Sequence, residues 1–171
     1  DTTFNVSSTL AGTVVDLSSI AQGTTEATRI GNRISPKYLD IRASVHVADA
    51  TNVLRVVVFQ WHLDDGAVVP TASNILQAGL VTGNWGPWAG YNNDERNAFS
   101  VLGDWVWQLN AASSNTSVDF VRRIKRKMRQ PEYAGTLLTG TSKIYMLLIS
   151  DSAAAPNPFM VGVSRLHFGE L

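Results

Sequence analysis

The chain has 171 residues, enough for one domain and too few for two of ordinary size. Fourteen Lys plus Arg balance fourteen Asp plus Glu, and only 16% of residues are charged, so the chain as a whole is neither a polycation nor an acidic shield. The absence of cysteine excludes disulfides, thiolate metal sites and thiol catalysis, and no apolar run reaches the roughly 18 to 20 residues that a spanning helix needs.

Position 1 is Asp rather than Met, and DTTFNVSS lacks a basic and apolar signal; the expectation is a processed, trimmed or partly visible version of a longer gene product, which leaves room for an N-terminal arm outside this sequence. The first β-rich stretch is Thr13–Ile20. From Tyr38 the pattern alternates, with Tyr38, Asp40, Arg42, Ser44 and His46 on one face and Leu39, Ile41, Ala43, Val45 and Val47 on the other, which predicts a half-buried strand. Val53–Leu63 follows after a turn at Ala48–Asn52. Asp64-Asp65-Gly66 is expected to close a hairpin, and Pro70–Ala78, with Thr71 or Ser73 as cap, predicts the one short helix. Leu80–Asn97 is a long connection of the kind that usually carries function. Four further strands are expected at Phe99–Leu109, Val118–Met128, Lys143–Ser150 and Phe159–Phe168, with a shorter one near Gly135–Thr139. Seven or eight strands separated by turns predict an all-β sandwich or barrel.

Catalytic chemistry finds little footing. His46, His62 and His167 form no HExxH or HxH pair, and no GxSxG, SxxK or GxxxxGK[ST] sequence occurs. His46 and His167 are expected to be ordinary strand histidines, HLDDG at His62–Gly66 a turn rather than a cation site, and Asp94-Glu95 solvated loop acids. The sequons at Asn5 and Asn115 are of a kind that arises by chance in a Ser- and Thr-rich chain. No enzyme activity is expected.

The strongest local anomaly is Arg122–Arg129, where Arg122, Arg123, Lys125, Arg126, Lys127 and Arg129 put six of fourteen cations within eight positions. Phosphate binding and a solvated, charge-protected edge strand both account for it, and pairing with acids of a neighbouring subunit is a third account. Trp85, Trp88 and Tyr91 in the long connection are expected to pack against another chain or their own sandwich in preference to stacking on bases or sugars, with a subunit interface or host contact the favoured reading.

The order of motifs resembles the coat proteins of the satellite tobacco necrosis virus type, a family that extends to the capsid proteins of small circular single-stranded DNA viruses. The resemblance rests on Ala11–Ser18, on Arg33-Ile34-Ser35 with Lys37, Leu39 and Arg42, on Val56–Trp61 and on Pro70-Thr71. Phe99–Asp104, Tyr133-Ala134-Gly135 and Ile144–Ser152 continue it in family order. It implies an eight-stranded antiparallel jelly roll forming, in sixty copies, a T=1 icosahedral virion shell around a single-stranded genome, DNA or RNA. By motif position it also implies that Arg33 faces the genome, with Arg96 near a second such residue. The basic cluster departs from the family pattern and is a separate hypothesis of an added nucleic-acid contact. Relatives bind calcium between subunits; Glu170 and Asp151 are the candidates here, with no site assigned. No other cofactor is expected. A host receptor or glycan is a further partner to consider. The competing reading is a jelly-roll lectin-like module holding a sugar on Trp85, Trp88 and Tyr91 with Asn92, Asn93 and Asp94.

Overall fold

The computed structural model describes residues 1–66, 69–77, 86–112, 116–153 and 155–170. Its strands are β1 (Thr2–Ser7), β2 (Thr13–Asp16), β3 (Ile34–His46), β4 (Thr51–Trp61), β5 (Phe99–Asn110), β6 (Ser117–Ile124), β7 (Glu132–Tyr133), β8 (Gly140–Thr141), β9 (Lys143–Ser150) and β10 (Phe159–Glu170). Eight of them form two antiparallel four-stranded sheets, ordered β1-β10-β3-β6 and β2-β9-β4-β5. The protein is all-β, as composition and alternation predict. Pairing is nested along the chain: β1 with β10, β2 with β9, β3 with β6 and β4 with β5.

Both sheets turn apolar residues into one shared core. Leu39, Ile41 and Val45 of β3 and Phe120 of β6 meet Leu54, Val56 and Val58 of β4 and Met146 and Leu148 of β9. Trp105 and Trp107 of β5 pack edge-on against Phe120, with centroids 5.0 and 5.1 Å away. Alternation is clean in β3 because its other face meets water, whereas β9 is buried along its whole length. The reason is a second core: the connection from β4 to β5 lays Ala72, Ile75 and Leu76 over Val57, Phe59, Trp61, Tyr145, Leu147 and Ile149.

Several expectations need correction. Among the described residues the strands number ten rather than eight, because β7 and β8 form a separate two-stranded ladder. Gly135–Thr139 is the turn of that ladder, not a strand. The stretch begun at Thr13 stops at Asp16, whose carboxylate accepts the N–H and hydroxyl of Ser18 and so turns the chain. Val118–Met128 leaves the sheet at Ile124. β1, too polar to stand out in sequence, is an additional strand. The helix is a single turn, α1 (Ala72–Ile75), N-capped at Thr71. Asp64-Asp65-Gly66 turns the chain but closes no hairpin, since the next strand lies beyond the long connection.

Candidate polyanion-binding surface

The basic cluster starts on an edge strand and leaves it. β6 is the last strand of its sheet, and beyond Ile124 the chain crosses to the other sheet. Ile124 and Met128 are buried and pin this crossing to the main core, while the six cations around them are exposed. The far end is clamped by Gln60, a buried residue of β4. Its amide oxygen accepts the Arg129 N–H at 2.8 Å, and its amide nitrogen donates to the Arg129 and Ser142 carbonyls at 2.8 and 2.7 Å. A strap fixed by apolar anchors and a backbone clamp holds its cations outward without using their charge.

The eight predicted cations divide by pairing. Arg123 forms a bidentate pair with Asp40 at 2.6 and 2.8 Å and lies 4.8 Å over the Tyr38 ring; its hydrogen bonds, ahead of any other influence, hold the Asp40 carboxyl below the usual carboxylate range. Arg33 pairs with Glu132 at 2.8 Å. Arg122 donates to the Val121 carbonyl and lies over Phe120, and Arg126 donates to the Val101 carbonyl of β5 at 3.2 Å, so neither charge meets a carboxylate. Among the described residues, the side chains of Lys125, Lys127, Arg129 and exposed Arg96 make no hydrogen bond or ion pair. The structure therefore gathers Arg122, Lys125, Arg126, Lys127 and Arg129 on one strap and leaves Arg33, Arg96 and the neutralised Arg123 outside that group.

His62 follows directly on β4, its Nε2 2.8 Å from Ser100 Oγ, while its Nδ1 is buried without a partner. Burial, reinforced by the charge of Arg129, lowers its pKa, which keeps the ring neutral near pH 7. His46 stacks on Phe159 and His167 on Tyr38, which gives both a packing role. Of the calcium candidates, Asp151 accepts the Val53 N–H and Glu170 those of Ile30 and Gly31. Among the described residues no group of three or more His, Asp or Glu side chains is placed to hold a metal ion.

The aromatic loop residues part company. Trp85 lies outside the described residues. Trp88 ends a 3₁₀ turn at Gly86–Trp88 and is 60% exposed. Tyr91 is half-buried and tied to its own chain. Its hydroxyl donates to Asp104, and burial together with that acceptor pushes its pKa up to about 12. Arg55 completes this anchor, reaching Asp104 at 2.9 and 2.7 Å and the Pro87 and Ala89 carbonyls at 3.3 and 2.5 Å. Burial alone would raise the Asp104 pKa, but the bonds from Arg55 and Tyr91 outweigh it and hold the group below the carboxylate range.

A second ionic cluster had no sequence signal, because its members are far apart in the chain. Lys143, fully buried, donates to Asp16 at 2.6 Å, Asp65 at 3.3 Å and the Leu138 carbonyl at 2.5 Å. Asp65 also accepts the Tyr145 hydroxyl at 2.5 Å and the Gly140 N–H. Fully buried Arg29 has no carboxylate; it donates to the Ile20, Gly31, Gly135 and Leu137 carbonyls at 2.7 to 3.1 Å and lies 4.2 Å over the Tyr133 ring. These groups have a full set of partners inside the chain, which marks them as structural. No model of a known protein family and no curated protein matches this chain.

Proposed function

We propose that the chain is the subunit of a closed viral shell: a jelly-roll coat protein, assembled in sixty copies into an icosahedral virion, with a structural rather than catalytic role. The observation that carries this reading is the nested strand order, β1-β10-β3-β6 over β2-β9-β4-β5. It is what results when one long antiparallel ribbon is rolled up, the arrangement of a jelly roll, and capsids are among the uses of that fold. Balanced charge supports it further, since copies must pack around several axes without repulsion.

On this reading the strap Arg122–Arg129 contacts the packaged genome. Five exposed cations that meet no carboxylate among the described residues, on a backbone fixed by Ile124, Met128 and Gln60, suit a polyanion read by charge rather than by sequence. Such a surface does not distinguish DNA from RNA. The sugar-binding alternative is weakened, because the Tyr91 hydroxyl is engaged by Asp104 and Trp88 is left as the exposed ring of the described loop residues.

The test is particle mass. Sixty copies of an 18.6 kDa chain weigh about 1.1 MDa. Light scattering with negative-stain imaging is expected to find that mass, with an absorbance ratio at 260 and 280 nm that reports nucleic acid. A stable monomer or trimer, also with a basic N-terminal arm added, would overturn the shell.

A further inference from the structure

We propose that the open edge of β6 is a two-fold contact, pairing antiparallel with the β6 edge of a second copy of this chain, with Val121 on the symmetry axis. β6 ends the order of its sheet, so one side of it has no strand beside it. The ladder fixes which groups face that side. Val47 N–H donates to the Thr116 carbonyl at 3.0 Å, one step beyond the aligned pair His46 and Ser117. Bonded and unbonded pairs alternate in an antiparallel ladder. Val118, Phe120, Arg122 and Ile124 therefore bond to β3, and Asp119, Val121 and Arg123 turn their N–H and C=O groups outward. Two side-chain contacts agree with this. Asp40 and Arg123, an unbonded pair whose side chains lie close, form the bidentate ion pair, and the Arg122 guanidinium reaches the outward Val121 carbonyl at 2.8 Å. Among the described residues, no other group outside the sheet bonds to the backbone of this row.

An edge of this kind is a template for another strand, and its side chains select which one. Read outward from Val121, the row is complementary to its own reverse. With Val121 opposite Val121, Asp119 of each copy faces Arg123 of the other, and Phe120 faces Arg122. An axis at Asp119 or at Arg123 would set like charges face to face, and an axis at Phe120 or Arg122 would set Val121 against a charge. Arg123 bonds Asp40 through Nε and Nη2, which leaves Nη1 for a second carboxylate. Asp119 is exposed and pairs with no cation among the described residues. A depression of about 270 Å³ beside Arg123, whose walls include Arg42, Val121 and Arg122, receives the second Asp119. Val121, 58% exposed in the single chain, is covered by its copy.

The strap does not oppose this pairing. It leaves the sheet after Ile124, and in this register Lys125 falls opposite Ser117 rather than opposite a cation. Any extended peptide could meet the backbone groups, but this edge asks for a strand with a carboxylate two residues to one side of an aliphatic and a cation two residues to the other. β6 itself has that pattern. The contact rests on the shell reading above and supplies a joint on its two-fold axes.

The chain has no cysteine, so one introduced thiol reports the register. A bonded pair on the axis holds its Cα atoms about 5.5 Å apart, within disulfide reach, whereas Ser117 and its copy lie roughly 27 Å apart. Val121→Cys is expected to give disulfide-linked dimers under a mild oxidant, and Ser117→Cys to give none. Val121→Pro removes an outward N–H and no bond to β3; by sedimentation it is expected to associate about tenfold more weakly, with its unfolding midpoint unchanged. No cross-link at Val121, or one as fast at Ser117, would overturn the contact, and 1.1 MDa particles formed all the same would leave the shell standing. Cross-linked dimers with no such particle from the wild type would support the contact and overturn the shell; absence of both would overturn both. Should Val121→Pro not fold, Asp119→Lys, which sets a cation against Arg123, gives the same readings.

Discussion

Two groups of cations in this protein behave in opposite ways. Arg29 and Lys143 are 114 residues apart in the chain and fully buried, and every donor the structure describes on them meets a carbonyl or a carboxylate. Lys125, Arg126, Lys127 and Arg129 are neighbours in sequence and exposed, and no carboxylate pairs with them among the described residues. The first group is taken out of water and must be fully bonded to exist at all; the second keeps its charge in solvent, ready for an external anion. Cation density along a sequence therefore says little until partners are counted. Pairing separates a charge held by the fold from one left to solvent.

The comparison breaks first at Lys143. Lys143→Met leaves Asp65 buried without its counter-ion, and the expected loss of stability is about 3–5 kcal/mol, read from the denaturant midpoint. Adding Asp65→Asn should recover part of it, as the uncompensated charge is then gone. Next comes Arg29→Met, which strips donors from four carbonyls. A loss of about 2–3 kcal/mol is expected, together with faster amide exchange in the β7–β8 turn.

The strap should respond in the opposite way. Lys125→Gln/Arg126→Gln/Lys127→Gln is expected to leave the unfolding midpoint where it was, yet to flatten the salt dependence of single-stranded nucleic-acid binding. On a plot of log affinity against log salt, the slope should fall by roughly 2 to 3. An unchanged slope, with unchanged nucleic acid in purified particles, would remove the strap from genome contact.

The smallest effect is in pH. His62 has its pKa lowered from 6.5 in the fold, so the unfolded chain takes up a proton first; stability is full above pH 6.5 and declines as pH falls below it. Asp40 and Asp104, also lowered but from 3.8, stabilise the fold above that pH and lose this contribution only below it. His62→Gln should erase the upper step and leave the acid limb in place, as followed by thermal melts from about pH 2 to 8.

The strands of the core were legible because burial writes period two into a chain that has water on one side. β3 shows this, and Lys143–Ser150 is found with the expected bounds. β1 was not legible, since Thr2, Thr3 and Asn5 offer little apolar contrast and its place comes from pairing with β10. Nor could local pattern show that Asp64-Asp65-Gly66, a turn by its residue types, delivers a buried carboxylate to Lys143 from 78 residues away. The basic cluster was visible as composition, but its division into paired Arg123 and the unpaired strap was not. The anchoring of Tyr91 is illegible for the same reason: an aromatic in a loop carries no mark of the aspartate that will receive its hydroxyl.

By itself the sequence determined the all-β class, the positions of the long strands and the concentration of charge at Arg122–Arg129, because periodicity and composition are local properties. Only the tertiary structure decided which charges are neutralised and which edge the cluster occupies. Those outcomes depend on the nested pairing that brings residues more than a hundred positions apart within hydrogen-bond reach, where the loss of hydration forces each buried charge to find a partner and leaves the others to water.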